Sequence, residues 1–194
     1  MNYDLAAGPA VVDYDNDGFL DRAYVGDLGG SIWRFQFCKK SDAASCGIAN
    51  WTGGMFFDDR AGSGIRPIYT SAAVSLGDYD NLWVYIGTGD KTQPTRPQAS
   101  DRFYAIKDRR NNGNAPYVVG DLVAINETSS TDVYTDSNDS SANGWYMVFG
   151  ANEKVLADPT IYKGRLFFTT YIPATQSETS DPCNAPGSSN IYNL

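Results

Sequence analysis

The chain has 194 residues and no histidine. That absence removes the commonest general base and the commonest transition-metal ligand. Ser-His-Asp and Cys-His arrangements are therefore excluded within this chain. Cysteine is scarce: Cys38, Cys46 and Cys183 are scattered, too few for a structural zinc site. No apolar run reaches the roughly 18 residues of a transmembrane helix, so none is expected. Met1-Asn2-Tyr3-Asp4 lacks the basic-then-apolar opening of a signal peptide. An exported protein would carry its signal elsewhere, so the chain is expected to be a piece of something longer. Positive charge is also short, with 15 Lys and Arg against 23 Asp and Glu, a net charge of −8 and a pI near 4.4. That balance argues against nucleic acid, whose phosphates need a basic surface. It suits cation binding and life outside the cell. Helical periodicity is almost missing.

What is present is β-rich. Hydrophobic residues make up 42% and aromatics 13%, enough to bury a core in one or two domains. Short runs of β-branched and aromatic residues are punctuated by Gly, Asn, Asp and Pro. Strands are predicted near 10–12, 22–26, 31–37, 68–75, 82–87, 102–106, 121–126, 145–149, 160–162, 165–171 and 190–194. Thr128 to Asn143 and Gln93 to Ser100 are polar or Pro-interrupted and predict long irregular loops. A weak repeat runs through the strands. A small, apolar opening strand recurs at Gly8-Pro9-Ala10-Val11-Val12, Ser71-Ala72-Ala73-Val74-Ser75 and Ala157-Asp158-Pro159-Thr160-Ile161. A second strand follows at Arg22–Asp27, Leu82–Gly89 and Arg165–Thr170. An aromatic third strand closes each unit at Ser31–Phe35, Arg102–Ile106 and Asn190–Leu194, with Trp33, Tyr104 and Tyr192 as equivalents, and likewise Phe35, Ile106 and Leu194. Tandem sheet units of this kind are the signature of β-propeller blades. The expected fold is all-β, with antiparallel blades. Closed propellers take about 4–8 blades, and three fit here, so residues 1–194 are expected to form a partial propeller domain.

One stretch carries chemistry: Asp13-Tyr14-Asp15-Asn16-Asp17-Gly18-Phe19-Leu20-Asp21. Four carboxylates at loop positions 1, 3, 5 and 9 repel one another unless a cation sits among them. A hard divalent cation takes several oxygen ligands, and alternating positions on a tight loop supply them. Gly18 permits the sharp turn. Asp13, Asp15, Asp17, the Phe19 carbonyl and Asp21 are the expected Ca²⁺ ligands. The loop is not an EF-hand, because position 12 is Tyr24 rather than Glu and the flanks read as strands. The plain alternative is an acidic Asx-rich turn without metal. Two further segments are read as turns: Asp78-Tyr79-Asp80-Asn81 as a hairpin turn and Asp108-Arg109-Arg110 as a solvated one. A Cys38–Cys46 disulfide is expected in an oxidising compartment, leaving Cys183 unpaired.

The segment from Ala7 to Phe35, built around the acidic loop, resembles the C-terminal propeller of PilY-type proteins. These are tip-associated biogenesis factors of bacterial type IV pili. The resemblance continues in Ile86-Gly87-Thr88-Gly89-Asp90-Lys91, Gly144-Trp145-Tyr146, Glu153–Pro159, Leu166–Pro173 and Asp181-Pro182-Cys183. It implies a modified, quinoprotein-like β-propeller with one calcium loop, whose occupancy is linked to pilus extension and retraction. It places the calcium ligands at Asp13, Asp15, Asp17, Phe19 and Asp21. It also implies a non-enzymatic protein, exported to the cell surface, outer membrane or pilus tip. The implied partners are pilus proteins, such as minor pilins, and host or abiotic surfaces reached through the parent protein.

Two rival classes remain at this level. A quinoprotein-like periplasmic dehydrogenase has similar blades, but often a vicinal disulfide, and no two cysteines here are adjacent. Quinone-dependent oxidation with added calcium would identify it. A calcium-dependent lectin or integrin-like adhesin carries such loops on propeller blades. Glycan or matrix binding without pilus proteins would identify that.

Overall fold

β-Branched and aromatic residues at alternating positions favour extended backbone, with i and i+2 on one face. The computed structural model describes residues 1–37, 47–60, 64–77, 81–97, 100–109, 116–126, 143–174 and 187–194. Among these the pattern yields thirteen strands: β1 (Ala10–Val12), β2 (Arg22–Gly26), β3 (Ser31–Gln36), β4 (Thr52–Asp58), β5 (Ala73–Leu76), β6 (Leu82–Gly87), β7 (Arg102–Asp108), β8 (Tyr117–Val118), β9 (Val123–Ile125), β10 (Gly144–Val148), β11 (Thr160–Tyr162), β12 (Arg165–Ile172) and β13 (Ser188–Asn193). They form three sheets. Sheet A is ordered β1-β2-β3-β4-β8, sheet B β5-β6-β7-β10-β9, and sheet C β11-β12-β13.

Each sheet begins with the same antiparallel unit of three strands in chain order. The register makes the repeat concrete. Trp33 faces Val25, Tyr104 faces Ile86 and Tyr192 faces Phe168. Phe35 faces Ala23 and Ile106 faces Val84, while Leu194 exchanges backbone hydrogen bonds with Leu166. The chain is all-β, built of blade-like sheets. Sheets A and B add a fourth antiparallel strand, then a short parallel one: β8 on β4 and β9 on β10. The antiparallel blades thus carry a parallel strand at two outer edges.

Other expectations shift too. β4 was not expected, because Gly53 and Gly54 mask it. Gly53 lies opposite Phe35, and a Cβ there would sit 2.6 Å from the Phe35 ring. The strand expected over 68–75 is confined to Ala73–Leu76. Residues before it cross the end of sheet A instead, where the Ile68 N–H donates to the Asp27 carbonyl and its side chain covers Gly26. The strand expected from 121 begins at Val123, after a 3-10 turn at Val119–Asp121. The cysteines, the bulk of the 128–143 loop and Asp78-Tyr79-Asp80 lie outside the described residues.

Sheet B is the middle layer. One face (Val84, Ile86, Tyr104, Ile106) packs on Tyr24, Ile32, Phe56 and Phe57 of sheet A. The other face (Trp83, Phe103, Trp145, Met147) packs on Leu166 and Phe168 of sheet C. Alternation along β6 and β7 thus feeds two cores at once, as stacked blades require. Burial of large aromatics dominates both cores, each fully buried side chain of this size contributing about 1.5–3 kcal/mol.

The two ends of β7 pin sheet B to sheet A with opposite charges. Asp108 accepts from Arg22 Nη1 at 2.9 Å, Arg34 Nη1 at 2.5 Å and the Tyr24 hydroxyl at 2.5 Å. At the other end Arg102 Nη1 donates to Asp59 Oδ1 at 2.7 Å, and Arg66 Nη1 to Asp59 Oδ2 at 3.2 Å. Asp108 is fully buried, so the solvated turn expected there is overturned. Period-two alternation continues from Tyr104 and Ile106 onto Asp108, which therefore points into the same core.

Candidate metal centre

All three sheets join their first two strands at the same place, but at different lengths. Sheet C needs only Lys163-Gly164, at φ 51° and 76°, a two-residue turn suited to right-handed strand twist. In sheet B the Gly77 N–H donates to the Asn81 carbonyl at 2.8 Å, at the end of the antiparallel pairing of β5 with β6. Sheet A uses all of residues 13–21 between β1 and β2. The hairpin itself does not need that length.

The loop folds on its own carboxylates. Asp13 Oδ1 accepts from the Asp17 N–H at 3.1 Å, and Asp13 Oδ2 from the Gly18 N–H at 2.8 Å. Asp21 Oδ2 accepts from the Tyr14 N–H at 2.6 Å and the Asp15 N–H at 3.3 Å. Asn16 and Gly18 take φ values of 57° and 91°, the left-handed region that Asn tolerates and Gly enters freely. The loop is anchored at its base, where the Asp21 N–H donates to the Val12 carbonyl and the Phe37 N–H to the Asp21 carbonyl.

Asp13, Asp15 and Asp21 bring one carboxylate oxygen each within 4.8 Å of one another. Asp17 is outside this group, and its Oδ1 accepts from the Phe19 N–H at 2.9 Å. The Phe19 side chain points to solvent, 54% exposed. Asp21 is 3% exposed, and its Oδ1 is buried without a hydrogen-bond donor. An unsatisfied buried carboxylate oxygen is costly, and a cation held there would remove the cost. The donor set, all hard oxygen, suits Ca²⁺ rather than a softer metal.

Two other buried carboxylates behave differently. Asp27 spends both oxygens on Gly29 N–H, Ser31 N–H and Trp33 Nε1, at 2.8–2.9 Å. Glu153, in a segment that carries the family resemblance, holds Thr170, Asn190 and Tyr192 side chains on Oε1 at 2.5–3.1 Å. These two staple strands together. Close to the loop, the Arg22 guanidinium lies 4.7 Å above the Tyr14 ring. Burial, with Asp108 beside it, holds the Tyr24 hydroxyl protonated far above the ordinary tyrosine range.

No family model matches the chain. It is 28% identical over 219 residues to the "Type IV pilus biogenesis factor PilY1 homolog" of Xylella fastidiosa, covering 100% of this chain and 14% of that protein. It is 26% identical over 228 residues to "Type IV pilus biogenesis factor PilY1" of Pseudomonas aeruginosa PAO1, covering 95% of this chain and 20% of that protein. The crystal structure of the Pseudomonas aeruginosa PilY1 C-terminal domain superposes with a TM-score of 0.65 at 22% identity, over 96% of this chain and 46% of that one. The chain is homologous to the PilY1 C-terminal region. The PilY1 domain is β-propeller-like, which agrees with the stacked sheets here. The chain spans 14% and 20% of the length of these two PilY1 relatives.

Proposed function

We propose that this chain is a calcium-binding segment of a β-propeller in a type IV pilus biogenesis protein. The observation that carries calcium is the orphaned Oδ1 of Asp21, a carboxylate grouped with those of Asp13 and Asp15, on a loop longer than its hairpin needs. Asp13, Asp15 and Asp21 would hold the ion, with Asp17 and the Phe19 carbonyl as the further ligands that the spacing supplies. Bound calcium would neutralise the clustered carboxylates and fix the loop between β1 and β2. The pilus assignment rests on homology to PilY1 along the whole chain.

In this role the protein is non-enzymatic, exported, and placed at the cell surface, outer membrane or pilus tip. Its partners are pilus proteins, with adhesion to host or abiotic surfaces carried through the parent protein. The three sheets act as successive blades of a larger ring, and calcium tunes the surface they offer during pilus extension and retraction. Deleting the gene in its host, and scoring sheared surface pilin and twitching motility, tests the pilus role. Both are expected to fall; wild-type levels of both would overturn it.

A further inference from the structure

Asp21 and Arg22 are chain neighbours with different tasks. Asp21 gathers the loop, through the Tyr14 and Asp15 N–H groups. Arg22 turns the other way in the alternating strand and reaches Asp108 of sheet B. Tyr14 joins the two. Its backbone N–H is held by Asp21, its ring lies under the Arg22 guanidinium, and it belongs to the core between sheets A and B. A loop residue is thus part of the sheet interface, and the interface's ion network begins one residue past a metal-site carboxylate.

We propose that the metal loop and the packing of sheet A on sheet B are coupled through Tyr14, Arg22 and Asp108, so that cation occupancy and closure of that interface stabilise each other. This rests on the calcium reading above. Asp108 neutralises Arg22 and Arg34 and fixes Arg22 over Tyr14. Without Asp108, Arg22 loses its ion-pair partner next to Tyr14 of the acidic loop, and Tyr14 loses its seat. Both changes oppose cation binding. Coupling of this kind is reciprocal: what the interface does for the ion, the ion does for the interface.

The second lock, Asp59 with Arg66 and Arg102, supplies an internal control. It joins the same two sheets at the far end of β7, about 20 Å away at strand rise. Its loss weakens the fold without touching Tyr14.

The test is calcium titration calorimetry on wild type, Asp108→Asn, Tyr14→Leu and Asp59→Asn. Asp108→Asn should weaken calcium binding about tenfold and Tyr14→Leu about fivefold, magnitudes usual for coupled sites. Asp59→Asn should leave the affinity within about twofold. Tyr14→Leu keeps the test open if Asp108→Asn fails to fold. In wild type, calcium should slow hydrogen exchange in β2 and at the Asp108 end of β7 more than at the Arg102 end. Wild-type affinity in both Asp108→Asn and Tyr14→Leu would overturn the coupling, as would equal weakening by Asp59→Asn. Wild type that binds no calcium fails before any variant is made, and refutes the calcium reading itself.

Discussion

Asp21 and Asp101 are both buried carboxylates with one oxygen lacking a hydrogen-bond donor, and their surroundings set different outcomes. Asp21 stands with two other carboxylates around a place for a cation. Asp101 does not. Its Oδ1 accepts from Thr88 Oγ1 at 2.8 Å, and burial raises its pKa from 3.8 to about 6, against the pull of Thr88, Lys154 and Arg66. The folded state therefore keeps the proton to higher pH than the unfolded chain does. Stability from this group is full below about pH 4 and is lost as pH rises through about 6. At pH 7 the ionised, buried carboxylate costs about 3 kcal/mol, from roughly two pH units at 1.36 kcal/mol each. Asp101→Asn keeps the shape and removes the charge. It should melt higher than wild type at pH 7, with the gap closing towards pH 4. Melting curves of the two proteins across that range check it, since other titrating groups are common to both. A gap independent of pH would contradict the assignment.

At the scale of elements, the attachment of sheet C depends on a ladder of rings. Phe168 stacks between Phe103 of β7, at 3.9 Å, and Tyr192 of β13, at 4.6 Å. Phe103 in turn stacks on Trp145 of β10. Phe168→Ala should cost about 3–5 kcal/mol, the range for emptying a buried aromatic site. Chemical denaturation would register this, with the loss largest in sheet C by hydrogen exchange. A loss under about 1 kcal/mol would mean that the two sheets are held by something else. Where a short β-branched and aromatic run is bounded by turn residues, the elements were legible in advance: β1, β2, β6 and β11 fall where the sequence puts them. Legibility failed where a strand's composition answers to its neighbour. Gly53 and Gly54 look like turn residues, yet Gly53 is a strand glycine that leaves room for Phe35. Asp108 looks like a surface charge, and only its partners Arg22 and Arg34, more than seventy positions away, explain its burial. The acidic loop was legible because its ligands are local in sequence. The orphaned oxygen of Asp21 and the Tyr14 contact with the sheet interface were not, because both depend on how the sheets pack.

For the molecule as a whole, three sheets stack in chain order and the acidic loop lies on the first of them, tied to the second. A net charge of −8 adds a favourable field for a cation and self-repulsion without one. Calcium should therefore act on global stability and not on the loop alone. The direct measurement is the melting temperature in calcium, in magnesium and in chelator, for wild type and Asp21→Ala. Calcium at a hundredfold excess over Kd should add about 2.7 kcal/mol. For a chain of this size that is a rise of about 5–10 °C. Magnesium should give little, because it demands a tighter octahedron and sheds water reluctantly. Asp21→Ala should abolish the calcium shift. A wild-type melting temperature that is the same in calcium and in chelator would contradict the account, leaving residues 13–21 as an acidic turn.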